Sequence, residues 1–341
     1  MASRAVLYGS ALMWDDHETG RGHPERQVRL EAVELGVAAA ALGDGLVSLA
    51  AREPDLSELT RVHSREYLQG LTELCELGGG HLDADTPVAP GSCRTATRSA
   101  GLGLAAIDAL RDGAAAAAFV APRPPGHHAF ANRGSGFCLI NNVAVAAAAL
   151  TATGERVLIV DWDVHHGNGT QDIFWDDPRV MYVSTHEYPA YPGTGPANEI
   201  GGPNARGLTI NVPLPSGATG DAARRAIDDI VAEPVDAFAP DWVLISAGFD
   251  AHRADPLADL QWSAGDFATL ARRVAGFAPQ PGRVIAFLEG GYDLAALADS
   301  VQATVAALAG ESRVSEPETS GGPGLAAVDA ARRIRLDSLE A

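Results

Sequence analysis

The chain contains no lysine. All 25 basic residues among its 341 positions are arginine, set against 44 acidic ones, for a formal net charge of −19. The lack of lysine excludes a Schiff base or a lysine nucleophile from its chemistry. The shortage of positive charge argues against binding nucleic acid through its phosphates, which need clustered cations. It favours solubility and, weakly, the steering of cationic substrates or partners. No uncharged apolar run reaches the ~18 residues of a membrane span. The first ten residues hold too short an apolar core for a secretory signal. Cysteine is scarce, with only Cys75, Cys93 and Cys138. Their spacing makes neither a paired metal motif nor a disulfide framework. A reducing, cytoplasmic location is the expectation. There is no Gly-x-Ser-x-Gly elbow, no P-loop and no strand-following Gly-x-Gly-x-x-Gly fingerprint.

What is present is an alternation. Apolar, β-branched runs predict buried strands at 5–8, 115–120, 157–160, 180–183, 208–212, 242–246 and 284–288. Alanine-rich segments with helical periodicity lie between them, at 99–111, 142–150, 222–232 and 264–276. The pattern predicts a single α/β domain, a mainly parallel central sheet flanked by helices. Residues 1–310 form its body, and 311–324 read as a polar linker. A final helix over 325–335, within a tail of 325–341, docks on the body or hangs free. No internal repeat is evident.

In open α/β sheets, ligands bind at the carboxyl ends of strands. Four predicted strands end in reactive residues. Run 115–120 leads to Pro124-Pro125-Gly126-His127-His128. Run 157–160 leads to Asp161-Trp162-Asp163-Val164-His165-His166-Gly167-Asn168-Gly169. Run 242–246 leads to Ala247-Gly248-Phe249-Asp250, and run 284–288 to Glu289-Gly290-Gly291-Tyr292. Strand alternation would put Asp161, Asp163 and His165 on one face. Carboxylates and imidazole converging there are costly to bury without a cation.

Asp163, His165 and Asp250 are therefore the candidate metal ligands. Three protein ligands leave a position open for water, as in catalytic zinc sites. The same donors suit ferrous iron. One Asp alone more often caps a turn, but two separate segments supplying ligands reverse those odds. A tandem His127-His128 on a stiff Pro-Pro-Gly turn suits proton transfer, one histidine at a water and the other at a leaving amine. Asp161 and Asn168 can fix their tautomers. Tyr292, after two glycines, can hydrogen-bond a developing oxyanion. Phe137 and Tyr191 sit on glycine-rich loops and can wall an apolar tunnel, though either can be ordinary core. Cys138 reads as a buried small hydrophobe.

These residues resemble the zinc-dependent histone deacetylase family, with its arginase/deacetylase-like fold. The resemblance covers roughly residues 5–310. It runs through His23-Pro24-Glu25-Arg26, Leu82-Asp83-Ala84-Asp85-Thr86, Arg123-Pro124-Pro125-Gly126-His127-His128-Ala129 and Gly136-Phe137-Cys138-Leu139-Ile140-Asn141-Asn142. It continues through 161–169, Tyr191-Pro192-Gly193-Thr194-Gly195, Ser246-Ala247-Gly248-Phe249-Asp250, Asp255-Pro256 and Leu288-Glu289-Gly290-Gly291-Tyr292-Asp293. The Leu-Glu-Gly-Gly-Tyr and His-His-Gly-Asn-Gly forms are similar to the class II branch and its bacterial relatives, acetylpolyamine amidohydrolases among them.

The resemblance implies zinc on Asp163, His165 and Asp250. It implies His127 as the histidine that helps activate water, with Asp161 as its partner. His128 falls on the general acid/base, and Tyr292 on the tyrosine that polarises the acyl carbonyl. Asn168 stands where class I enzymes carry an aspartate; an amide stabilises an imidazolium less, so His128 should deprotonate more easily. Gly136, Phe137 and Tyr191 match the acyl tunnel. A structural potassium ion is implied at Asp161, Asp163, His165, Ser184 and Thr185, and a second near Phe174 and Val180. Arg29 matches an internal-channel arginine. Leu257 follows Asp255-Pro256 where polyamine-specific relatives carry an acidic residue. The implied activity is hydrolysis of N-acetyl-lysine in proteins or peptides. The alternatives are a small N-acyl amine or acetylpolyamine substrate, and a non-catalytic binder of acylated ligands.

Overall fold

The computed structural model describes residues 5–341. Among the described residues ten strands form: β1 (Val6–Ser10), β2 (Leu46–Ser48), β3 (Gly80–His81), β4 (Pro87–Val88), β5 (Ala117–Ala121), β6 (Val157–Asp161), β7 (Val180–Glu187), β8 (Thr209–Leu214), β9 (Trp242–Ala247) and β10 (Val284–Leu288). Eight of them make one sheet in the order β2-β1-β5-β10-β9-β6-β7-β8. Every pairing in it is parallel. β3 and β4 pair separately and antiparallel.

The parallel sheet follows from the sequence. Helices must return the chain between parallel strands, so both faces are covered and the strands read as continuous apolar runs. All residues of β5, β6, β9 and β10 are buried. One core lies under the helices Ser92–Arg111 and Asn142–Thr151. The other lies under Val28–Ala39, Ala264–Ala275 and Leu294–Leu308. Each fully buried Leu, Phe or Val contributes ~1.5–3 kcal/mol against exposure.

The helix expected at 222–232 is instead three pieces in line. Gly220–Ala226 is α-helical, Ile227–Val231 is a π turn, and Ala232–Phe238 is α-helical again. Pro234 lies just past the π turn. It has no N–H to give the carbonyl of Ile230, and a wider turn absorbs that loss.

β8 is an edge strand, paired in the sheet with β7. The closing helix Gly324–Glu340 lies against it. Buried Arg335 donates to the carbonyl oxygens of Thr209 (2.7 Å) and Gly207 (2.6 Å). The segment before that helix is held by side chains: Glu316 accepts from Arg253 and bonds His252, and Thr319 bonds Asp266.

Candidate active site

β5, β10, β9 and β6 are consecutive neighbours in the sheet. Their carboxyl ends therefore deliver His127-His128, Glu289–Tyr292, Asp250 and the Asp161–His165 segment to one place. A cavity of 210 Å³ opens there, lined by His127, His128, His165, Gly136, Phe137, Tyr191, Leu257 and Tyr292, with Pro125, Gly290 and Asp85.

The floor is a three-residue cluster. Donor atoms of Asp163, His165 and Asp250 all lie within 4.8 Å of one another. The expected strand alternation does not create it. β6 ends at Asp161, and Asp163 and His165 follow in a bend. Side-chain-to-backbone bonds shape that bend. Asp163 N–H donates to Asp161 Oδ1 (3.1 Å), and His165 N–H donates to Asp163 Oδ1 (2.9 Å). Such local aspartate turns compete with the strand and end it. Asp250 is locked by the N–H of Val164 on Oδ1 (2.9 Å), and Asp163 by the N–H of Gly290 on Oδ2 (2.8 Å).

The cluster fits a divalent cation. Asp250 Oδ2 is buried and has no hydrogen-bond donor. His165 Nδ1 lies 3.2 Å from Asp163 Oδ1 and 3.3 Å from Asp250 Oδ2. Burial opposes charge on that imidazole, yet the two carboxylates raise its pKa to about 10. A proton there offsets the buried negative charge, and a metal would replace it. Two glycines leave the room. A Cβ on Gly290 would lie 1.9 Å from Asp250 Oδ2, and one on Gly248 would lie 2.1 Å from Asp163 Oδ2.

The two histidines of the Pro-Pro-Gly turn stand 4.0 Å apart, ring centre to ring centre. His127 Nδ1 meets Asp161 Oδ2 at 3.0 Å, and His128 Nδ1 meets Asn168 Oδ1 at 2.8 Å. Burial disfavours both imidazolium ions. For His127 the carboxylates of Asp163, Asp161 and Glu289 win, and its pKa rises well above the ordinary value. For His128 burial wins, reinforced by His127 and His165, and its pKa falls well below. Its Asn168 partner has no charge to counter this.

Tyr292 is half-buried on the opposite wall. Its N–H donates to Asp255 Oδ2 (2.6 Å), and Arg29 lies 4.9 Å from its ring. Asp293 caps the next helix through Ala296 N–H, which fixes the turn carrying Tyr292. Burial raises the phenol pKa well above its usual value, so it stays a donor. Arg29 also donates to the carbonyls of Gly291 and Glu289. Phe137 takes a left-handed φ of 69°, which a non-glycine residue adopts only when held. The paired bonds of Ser135 and Cys138 (3.1 and 2.9 Å) and Thr86 Oγ1 on its N–H (3.1 Å) hold it. Tyr191 and Leu257 are exposed at the rim, at 44% and 40%, and Asp85 beside them is exposed as well. Ser184 pairs in register with Asp161, and Thr185 follows it, both buried. His166 is occupied between Thr194 and Gln171.

Three supporting residues went unread in the sequence. Tyr182 donates its hydroxyl to Asp161 Oδ2 (3.1 Å) from the middle of β7. Glu289 accepts the N–H groups of Gly126 (2.7 Å) and His127 (3.2 Å), pinning the histidine turn. Gly167 leaves space for this meeting, since its Cβ would sit 2.1 Å from Asp161 Oδ2 and 2.7 Å from the Tyr182 hydroxyl. An acid at the end of an apolar strand was the available signal for Glu289; an interior tyrosine offers none.

A parallel α/β sheet with a carboxylate–imidazole cluster and two adjacent histidines at its carboxyl edge fits a metal-assisted hydrolase. The comparisons narrow that class. Residues 23–308 match the histone deacetylase domain, and the chain belongs to that family. A probable deacetylase of Archaeoglobus fulgidus is 39% identical over 89% of this chain and 86% of its own length. A histone deacetylase-like amidohydrolase of Pseudomonas aeruginosa is 41% identical over 69% of this chain and 63% of its own. The crystal structure of the HDA15 HD domain superposes with a TM-score of 0.88 at 35% identity, covering 98% of this chain and 97% of that one. Its membership supports a deacetylase or amidohydrolase activity on acylated substrates.

Proposed function

We propose that the protein is a zinc-dependent deacetylase that hydrolyses the amide of N-acetyl-lysine in proteins or peptides. The observation that carries this reading is the convergence of Asp163, His165 and Asp250 beside two histidines, each fixed through Nδ1 by its own partner, Asp161 or Asn168. Zinc, or ferrous iron, held by those three side chains supplies Lewis acidity. Asp161, Ser184 and Thr185 would hold a structural potassium ion, as the sequence resemblance implies.

The chain's own groups divide the rest of the work. Phe137 and Tyr191 flank the aliphatic stem of the acyl-lysine, and Gly136 leaves them room. Tyr292 donates to the oxygen that gains charge as water adds to the acetyl carbon. The sequence resemblance gives the water proton to His127. His128 is placed to take it instead: its Nδ1 meets the amide oxygen of Asn168, which can only accept, so Nδ1 carries the hydrogen and Nε2 is free to accept. His128 then returns that proton to the departing amine. His127 keeps its own proton against Asp161 and stabilises the negative charge.

A second reading, hydrolysis of a small acylated polyamine, is favoured by the acidic rim, where Asp85 lines the mouth. Leu257, apolar and exposed at the same mouth, favours acyl-lysine. One panel separates them. Purified protein is assayed on acetyl-lysine peptides, longer acyl-lysines and acetylated polyamines, with and without a chelator. The expected result is chelator-sensitive acetate release, fastest on acetyl-lysine peptides. No release from any member would leave only the non-catalytic binding module.

A further inference from the structure

Two of the three cysteines lie against each other, away from the catalytic cluster. Cys75 is in the last turn of the helix Arg65–Glu76, and Cys93 is in the first turn of Ser92–Arg111. The N–H of Cys93 donates to Cys75 Sγ at 3.3 Å. Thr72, one turn before Cys75, places its hydroxyl 3.4 Å from Cys93 Sγ. With an N–Cα bond of about 1.46 Å, Cys75 Sγ lies within about 4.8 Å of the Cys93 Cα. A disulfide asks for little more approach than that. The Cys93 side chain is also a hydrogen-bond partner of the Cys75 thiol, which burial pushes up in pKa. Cys93 is the more exposed of the two.

The chain between them carries one part of the cavity's rim. It includes β3, β4, Asp85 at the mouth, and Thr86, whose Oγ1 holds Phe137. It also includes Gly78-Gly79-Gly80, the first two with positive φ, so this loop has a supple start. Cys138 makes a contrast. It is fully buried, donates to the Gly136 carbonyl at 3.3 Å, and burial pushes its thiol pKa well above the usual value.

We propose that Cys75 and Cys93 are a redox modification site, which a peroxide converts to a disulfide that clamps the rim loop. The Cys93 thiol gives up its proton and its sulfur attacks one oxygen of hydrogen peroxide; the O–O bond breaks, the other oxygen leaves as hydroxide and takes that proton to become the first water, and Cys93 becomes a sulfenic acid. The Cys75 sulfur then attacks the Cys93 sulfur. The S–O bond breaks, the Cys75 proton leaves with the oxygen as the second water, and the S–S bond forms. Two electrons pass from two thiols to one peroxide. A small thiol reverses the process.

The test reads mass on the folded, full-length protein. It is treated with hydrogen peroxide, alkylated with iodoacetamide, and cleaved at arginine without reductant. Residues 66–94 contain no internal arginine and leave as one peptide with both cysteines. The expected peptide lacks two hydrogens and carries no alkyl group; dithiothreitol before alkylation restores two alkylated thiols. Cleavage after Glu76 splits it into two linked pieces. Cys93→Ser removes the cross-link and leaves Cys75 alkylated. The proposal is overturned if the wild-type peptide instead gains oxygen on Cys93 with Cys75 still alkylated. It is equally overturned if the peptide is unchanged, or if either cysteine links to Cys138 or to a second chain. The wild-type result decides the matter even if the variant fails to fold.

Discussion

The floor and the mouth of the cavity are built differently. On the floor, Asp163 and Asp250 are fully buried, fixed by backbone N–H donors, and fitted against glycines that admit no side chain. At the mouth, Tyr191, Leu257 and Asp85 are exposed on loops. A buried, over-determined floor tolerates no change of chemistry, and a solvent-facing mouth tolerates many. The reaction type is thus written into the floor, and substrate choice into the mouth.

That contrast breaks first, if at all, on the floor. Asp163→Asn removes a ligand charge from the cluster. Several kcal/mol of transition-state stabilisation should go, on the order of 10³-fold in kcat. The check is kcat together with metal content by elemental analysis, and both should fall. Tyr292→Phe removes only the hydroxyl. A loss of about 10²–10³-fold in kcat is expected, with metal content unchanged. Undiminished turnover would remove the tyrosine from the reaction.

Between floor and mouth stands the His128–Asn168 pair, and Asn168→Asp sharpens the comparison. His128 must be neutral to accept a proton, and its pKa is held low by burial, His127 and His165. A carboxylate at 168 favours the imidazolium, so the pKa rises and the neutral form is lost from a higher pH downward. The acidic limb of kcat/KM against pH should move up by about one unit. A limb that stays in place would point to another proton acceptor. The smallest effect is reserved for the mouth. Leu257→Glu should leave kcat on acetyl-lysine peptides nearly unchanged. It should improve acetylated polyamines about 5- to 10-fold in kcat/KM, through a charge-assisted contact worth ~1 kcal/mol. An equal effect on both substrates would erase the distinction between the two regions.

Much of the floor was legible in the sequence because chemistry and position coincide there. The candidate ligands sit where apolar runs stop, and runs of apolar residues are what periodicity detects. β10 was read with its true limits, the six other predicted strands differ by a few residues at their ends, and the three-residue β2 was not read. The three-piece helix 220–238 and the two-residue strands β3 and β4 were not readable. The first turns on one proline's missing N–H, and two residues have no period. The shape of the 161–165 bend was misread as strand, because side-chain bonds to the backbone leave the same residues with a different geometry. Tyr182 was invisible for a related reason: an aromatic residue inside an apolar strand looks like core until its hydroxyl finds Asp161 across the fold.

One feature lies far from the chemistry. A parallel sheet that ends on a bare strand offers its outer carbonyls and amides to any passing chain. Arg335 occupies the carbonyl of Thr209 at the start of β8 and that of Gly207 just before it, and the 17-residue helix that carries it packs against the strand. The last helix is therefore a guard on association rather than an accessory to turnover. Its removal would turn β8 into a sticky border, and the visible symptom would be fibres or clumps from a protein whose active centre is untouched.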